Sequence, residues 1–153
     1  MSDHTNRTLL VLHAEDNTDH AELVRRCLQR HPVVKSLVLV EDGEAVLDYV
    51  FRRGAFATAV RPDVILLDLR LPKADGLEVL RSLKTHPDTA HIPVVILSTS
   101  SRDADVRGAY DLHANSYLTK PIELTALDQL LADFVVYWGQ RNHPPAHERR
   151  AAP

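Results

Sequence analysis

The segment Val64-Ile65-Leu66-Leu67-Asp68 constrains the fold of this chain more than any other. Its four consecutive apolar residues predict a strand that is buried on both faces, which is typical of parallel sheets covered by helices. The strand ends on a carboxylate, and in open α/β sheets the chemistry gathers at the carboxyl ends of the strands. We therefore expect Asp68 to lie at the functional edge of a parallel sheet.

The rest of the chain alternates strands and helices. Apolar runs predict strands over 8–14, 36–40, 64–68, 92–97 and 116–118, and apolar residues at helical spacing predict helices over 19–31, 44–53, 76–85, 103–113 and 123–139. Five strands that alternate with five helices through short loops require right-handed crossovers and a doubly wound parallel sheet. The predicted fold class is therefore α/β.

The composition is that of one ordinary folded domain. The chain has 153 residues, of which 44% are hydrophobic, so we expect a single domain over 1–153, with a core at about 8–139 and a polar tail at 140–153. The formal net charge of −3 and the scattered basic residues predict no nucleic-acid partner. The sequence shows no signal peptide and no membrane-spanning apolar run, and its single cysteine excludes an internal disulfide, so we expect a cytoplasmic protein without a membrane partner.

Polar residues follow four of the predicted strands. They are Glu15 and Asp16 after the first, Asp68 after the third, Ser98 after the fourth and Lys120 after the fifth. In a parallel sheet these positions converge on one crevice. Two carboxylates about 4 Å apart repel each other by roughly 4 kcal/mol at an effective dielectric of about 20, so three acids there need a cation.

Mg²⁺ is the cation that this group of residues favours. It takes hard oxygen ligands, and no His or Cys spacing in the chain suggests zinc. A carboxylate beside Mg²⁺ can accept a phosphoryl group, because the metal neutralises charge on the transferring oxygens. Lys120 would then stabilise the added negative charge, and Ser98 would donate a hydrogen bond to it.

The ordered set resembles the receiver domains of bacterial two-component response regulators. The similarity extends over residues 9–138 and depends on Glu15-Asp16, Asp68, Ser98, Tyr117 and Lys120-Pro121. It implies the flavodoxin-like (βα)5 fold with strand order 2-1-3-4-5, and phosphorylation of Asp68. It also implies that Asp16, Asp68 and the backbone carbonyl of Arg70 bind Mg²⁺ directly, while Glu15 acts through water.

The same resemblance implies a switch and a phosphoryl donor. Ser98 would be the switch hydroxyl, Lys120 would bind the phosphoryl group, and Tyr117 would rotate inward when Ser98 moves. A sensor histidine kinase would supply the phosphoryl group. The protein itself would not be a turnover enzyme.

A narrower resemblance is carried by the loop at 51–62 and by the segments 84–88 and 97–100. These look most like the single-domain regulators that are paired with bacterial phytochromes, which implies a stand-alone receiver and a red-light-sensing kinase. Two positions depart from the family pattern. His13 stands where the family usually has an aliphatic residue, and Arg70 occupies a variable position thought to influence the phosphate lifetime.

The fifth helix carries more apolar surface than packing on the sheet requires. At about 100° per residue, one arc of the helix surface would pack on the sheet, and it holds Leu124, Leu127, Leu131, Phe134, Val135 and Trp138. Three further apolar residues extend the arc to around half of the circumference: Ala126, Leu130 and Tyr137. The surplus predicts a homodimer through Leu130, Phe134, Tyr137 and Trp138. The alternative is a carboxyl-terminal tail folded over the same surface.

Two other functions stay open. A Mg²⁺-dependent phosphatase of the haloacid-dehalogenase type also uses an Asp nucleophile at a strand end, but those enzymes have a second Asp two residues later, where this chain has Arg70. A pseudo-receiver would only scaffold partners. The complete set of acids and the lysine argues against it.

Overall fold

Five strands lie in one parallel sheet in the computed structural model, which describes residues 7–145. They are β1 (Leu9–Ala14), β2 (Val34–Val40), β3 (Val64–Leu67), β4 (Val94–Ser98) and β5 (Ser116–Thr119). Their order across the sheet is β2-β1-β3-β4-β5, and every neighbouring pair is parallel. The predicted fold class and strand order are confirmed.

Five α-helices alternate with the strands. They are α1 (Thr18–Gln29), α2 (Gly43–Val50), α3 (Gly76–Thr85), α4 (Asp103–Asp111) and α5 (Leu124–Val136). A short 3-10 helix, Gly54–Phe56, follows α2, and a π-helical segment, Tyr137–Arg141, continues α5. Within residues 7–145, no helix is both long and apolar enough to cross a lipid bilayer.

The sheet separates two apolar cores. One core packs α2, α3 and α4 against one face of the sheet, and the other packs α1 and α5 against the opposite face. All four residues of β3 are fully buried, with Ile65 and Leu67 in the first core and Val64 and Leu66 in the second. This rigid central strand holds the backbone that carries Asp68.

Side chains in the loops at the carboxyl edge fix where three of the helices begin. Asn17, Asp42 and Asp75 each accept a hydrogen bond from the backbone N–H three residues later, at 3.0, 2.7 and 3.1 Å. Such caps satisfy N–H groups that have no partner within the helix. Because Asn17 starts α1 directly after Glu15 and Asp16, the two acids stay in the loop at the end of β1.

Helices α1, α2, α4 and α5 each end two or three residues before the predicted position, α1 at Gln29. α2 stops at Val50 and α4 at Asp111, because residues in the left-handed region follow them: Arg52 has φ of 56° and His113 has φ of 69°. A left-handed residue cannot continue a right-handed helix.

The structure differs from two predictions for the carboxyl-terminal part of the chain. The prediction that Leu124 packs against the sheet is wrong, because it is the first residue of α5 and is 54% exposed. Regular α-helix also ends at Val136, where the π-helical segment takes over. Residues 146–153 of the predicted polar tail lie outside the described residues.

Candidate functional site

Three carboxylates meet at the carboxyl edge of the sheet. Glu15 and Asp16 follow β1, and Asp68 follows β3, the strand beside it. One oxygen from each side chain lies within 4.8 Å of the other two. Glu15 and Asp68 are buried, whereas Asp16 is exposed. The structure therefore brings together the three acids that the sequence analysis assigned to this edge.

Lys120 reaches the buried acids from the end of β5. Its Nζ donates a short hydrogen bond to Glu15 and lies 3.4 Å from Asp68 Oδ2, and its side chain is only 7% exposed. A third neighbour is His20 in the first turn of α1, whose Nδ1 lies 3.3 Å from Nζ. His20 is a site residue that the sequence pattern did not predict, and it lies one turn after Asp16, over the same crevice.

The charges in this cluster do not balance. Three ionised carboxylates and one ammonium leave a net charge of −2. Burial raises the pKa of the Glu15 carboxyl, the hydrogen bond from Lys120 opposes that rise, and the charge of Asp68 adds to it. Hard oxygen donors that lie close together and carry excess negative charge fit a divalent cation.

The loop after β3 holds the Asp68 carboxylate against its own backbone. Asp68 Oδ1 accepts a hydrogen bond from the Arg70 amide at 3.0 Å. Gly76, the first residue of α3, lies so close that a Cβ there would be 2.4 Å from the Asp68 carbonyl oxygen. A glycine at this position therefore lets α3 begin against the loop that carries Asp68.

Ser98 and Tyr117 are joined through one residue, Ser100. Ser98 is buried at the end of β4, and its Oγ accepts a hydrogen bond from the Ser100 amide at 3.1 Å. Tyr117 is half-buried, and its hydroxyl donates to the Ser100 carbonyl at 2.8 Å. The Lys120 amide donates to the Ser98 carbonyl at 2.7 Å, which connects the ends of β4 and β5.

An uncharged histidine lies under the site. His13 is 2% exposed on β1, two residues before Glu15. Burial, and to a smaller extent the charge of Lys120, lowers the pKa of its imidazole from 6.5 to about 3. The position that departs from the family pattern is therefore filled by a buried, neutral imidazole.

The residues predicted at a dimer interface lie on α5 and on the π-helical segment that continues it. Phe134 is 4% exposed in the core of its own chain, and Leu130 and Trp138 are half-buried. Tyr137 is 52% exposed and packs edge-on against the Trp138 ring, with 4.8 Å between ring centroids. All four border an open groove of about 610 Å³ beside β4 and β5.

Comparisons with known proteins point to one family. The family described as response regulator receiver domain matches residues 11–132. The chain is 38% identical over 138 residues to response regulator Rcp1 of Synechocystis sp., a similarity that covers 90% of this chain and 94% of that protein.

Two solved structures are similar in both fold and sequence. The phosphorylated cyanobacterial phytochrome response regulator RcpA matches with a TM-score of 0.87 and 39% identity, over 91% of this chain and 99% of that one. The Mn²⁺-bound form of Rcp1 matches with a TM-score of 0.85 and 37% identity, over 90% and 99%.

Proposed function

Because the chain belongs to the family of response regulator receiver domains, we propose that it accepts a phosphoryl group on Asp68. The observation that carries this proposal is the position of the Asp68 carboxylate, which is buried beside Lys120 and two further acids. A strand-end carboxylate used only as a helix cap would need neither the ammonium group nor the other carboxylates. Receiver domains of this family take their signal from histidine kinases.

The transfer requires one bond to form and one to break. A carboxylate oxygen of Asp68 attacks the phosphorus of a phosphohistidine, and the phosphorus–nitrogen bond breaks as the new phosphorus–oxygen bond forms. The electron pair of the broken bond returns to the imidazole of the kinase. Lys120, whose Nζ is 3.4 Å from Asp68 Oδ2, stabilises the added negative charge of the product.

The acidic cluster supports a resident Mg²⁺. Asp16, Asp68 and the backbone carbonyl of Arg70 would hold it directly, and Glu15 would contribute through water. When bound, the ion supplies neutralisation of the charge on the transferring oxygens. Support comes from the three carboxylate oxygens that lie within 4.8 Å of one another and from the Mn²⁺-bound form of Rcp1.

The upstream partner that we propose is a phytochrome histidine kinase. RcpA is a phytochrome response regulator, and this chain is similar to it over 91% of its length. The protein would therefore relay a red-light signal as a phosphorylation state, and it would not turn over a substrate. Ser98 would then bond a phosphoryl oxygen, and Tyr117 would follow it inward, because both side chains now hold Ser100.

We also propose a homodimer through α5. Tyr137 offers an exposed aromatic surface, and Leu130 and Trp138 are half-buried next to it. The Tyr137→Ser variant should lower the dimer fraction in sedimentation at high protein concentration, while Tyr110→Ser, a similarly exposed tyrosine on α4, should not. A wild-type protein that sediments as a monomer at high concentration would overturn this part.

Phosphorylation by acetyl phosphate in the presence of Mg²⁺ tests the main proposal. The wild type should incorporate phosphate and Asp68→Asn should not. Asp75→Asn is the matched control, because asparagine caps helix α3 about as well as aspartate does. Equal labelling of Asp68→Asn would refute the assignment. Sustained turnover of a phosphomonoester would favour the phosphatase, and failure to bind Mg²⁺ would favour the scaffolding protein.

A further inference from the structure

A closed cycle of hydrogen bonds joins the end of β1, the start of α1 and the end of β5. Lys120 Nζ donates to Glu15 Oε1, and Glu15 Oε2 accepts from the Asn17 amide at 3.2 Å. Asn17 Oδ1 accepts from the His20 amide at 3.0 Å. The His20 imidazole closes the cycle, because its Nδ1 lies 3.3 Å from Lys120 Nζ. Three separate elements of the fold therefore hold one ammonium group.

The contact with Lys120 fixes the protonation of the His20 imidazole. An ammonium group has three N–H donors and no acceptor, so a ring nitrogen that it bonds carries no proton. Nδ1 is therefore the acceptor, the imidazole is neutral, and its proton lies on Nε2. All three protons of the ammonium then have an acceptor, since Glu15 and Asp68 take the other two.

A cavity beside Lys120 gives this third acceptor its importance. The cavity has a volume of about 420 Å³ and is bordered by both His20 and Lys120. Apart from these two residues and Thr99, the described residues that line it are apolar: Leu23, Val24, Pro121, Ile122, Leu124 and Leu127. A lysine side chain is flexible, so the cavity leaves the ammonium room to move away from the acids. The hydrogen bond to His20 restricts that movement.

We propose that His20 is a positioning residue for the phosphorylation of Asp68 and that it acts through Lys120. This inference rests on the proposed phosphorylation of Asp68. Because Glu15 and His20 hold the ammonium, its place does not depend on the 3.4 Å contact with Asp68. During the transfer, the ammonium can redirect that one hydrogen bond to a phosphoryl oxygen and keep the other two.

The gain lies in the rate of the transfer. A donor that is already in place when negative charge develops needs no reorganisation at the moment of reaction. Without the imidazole, one proton of the Lys120 ammonium would lose its acceptor, and the group would adopt several positions between the acids and the cavity. Only some of these positions would place the charge beside the transferring oxygens.

Phosphorylation by acetyl phosphate tests the inference without a kinase, so that effects on kinase docking do not enter. At saturating Mg²⁺, His20→Leu should lower the rate constant of phosphorylation about three- to tenfold, the effect of one lost hydrogen bond. The Mg²⁺ concentration that gives half of the maximal rate should change by less than about twofold, because His20 holds the ammonium and not the metal.

A conservative variant and a control separate this role from a general effect on α1. His20→Asn should restore most of the rate, because its Oδ1 can accept from Lys120 where Nδ1 does in the wild type. His31→Leu removes another half-buried histidine, just after α1, and should leave the rate unchanged.

Nitrogen NMR of the wild-type imidazole is the second measurement, and it does not depend on whether a variant folds. In weakly alkaline solution, His20 should carry its proton on Nε2 and none on Nδ1. A proton on Nδ1, an unchanged rate in His20→Leu, or no recovery in His20→Asn would overturn the inference. A wild type that takes no phosphate on Asp68 would instead overturn the proposed function.

Discussion

Replacing His13 with leucine should remove a defined part of the acid sensitivity of this protein. His13 is 2% exposed, and burial, followed by the charge of Lys120, lowers its pKa from 6.5 to about 3. In the folded protein the imidazole therefore stays neutral at pH 5. In the unfolded chain it takes up a proton as the pH falls through about 6.5.

The sign and size of the effect follow from these two pKa values. Below the unfolded-state pKa, the unfolded chain binds more protons than the folded protein, so stability falls as the pH falls toward 3. With pKa values of 6.5 and about 3, His13 alone removes roughly 2 kcal/mol from the free energy of unfolding between pH 8 and pH 5. Leucine has a similar volume and no titratable group, so the variant should not show this loss.

Urea unfolding followed by circular dichroism, with a chelator present, measures the difference. Between pH 8 and pH 5, the free energy of unfolding of the wild type should fall by about 2 kcal/mol more than that of His13→Leu. His86→Gln is the control, because it removes an exposed imidazole and should keep the wild-type dependence on pH. If wild type and His13→Leu lose the same free energy over this range, the imidazole is not buried in its neutral form and the reasoning is wrong.

Two further predictions concern the two ends of α3. Gly76→Ala should destabilise the protein by about 1–3 kcal/mol and slow phosphorylation, because the new Cβ would lie 2.4 Å from the Asp68 carbonyl oxygen. Gly108→Ala is its control in the same denaturation assay: its Cβ would meet its nearest atom at an ordinary 3.5 Å, so a comparable loss there would refute the explanation. Lys84 donates to the Ala90 and Ile92 carbonyls, and burial lowers its pKa from 10.5 to about 8. Between these two values the unfolded chain binds more protons than the folded protein, so stability rises with pH. The free energy of unfolding of the wild type should therefore increase relative to that of Lys84→Met as the pH rises from about 8 to 10. If the free energies of unfolding of the wild type and of Lys84→Met change equally with pH over that range, the pKa of Lys84 is not lowered in the folded protein.

The sheet and the acidic edge could be predicted because both depend on local pattern. A run such as Val64–Leu67 is apolar at every position, which is the pattern of a short strand that is buried on both faces. Once the strands were located, the parallel topology alone brought Glu15, Asp68 and Lys120 to one edge, although they are far apart in the sequence. In the structure, Lys120 Nζ lies within hydrogen-bonding distance of both the Glu15 and the Asp68 carboxylates.

What could not be predicted depends on side chains that meet across different elements. His20 beside Lys120 and Asp105 beside Arg70 carry no sequence signal of their own, because polar residues in the first turn of a helix are common. The end of α2 was missed for another reason. Arg52 adopts a left-handed conformation that is usual for glycine, and the sequence pattern therefore extended the helix too far.

Locating the phosphoryl group on the chain tests the central claim most directly. Sodium borohydride reduces phosphoryl-aspartate to homoserine, and tandem mass spectrometry of the peptides then identifies the modified position. After treatment with acetyl phosphate and Mg²⁺, we predict homoserine at position 68 alone, and none when the metal is chelated. Homoserine at Asp16 or elsewhere, or an unmodified Asp68 in protein that has taken up phosphate, would contradict the account.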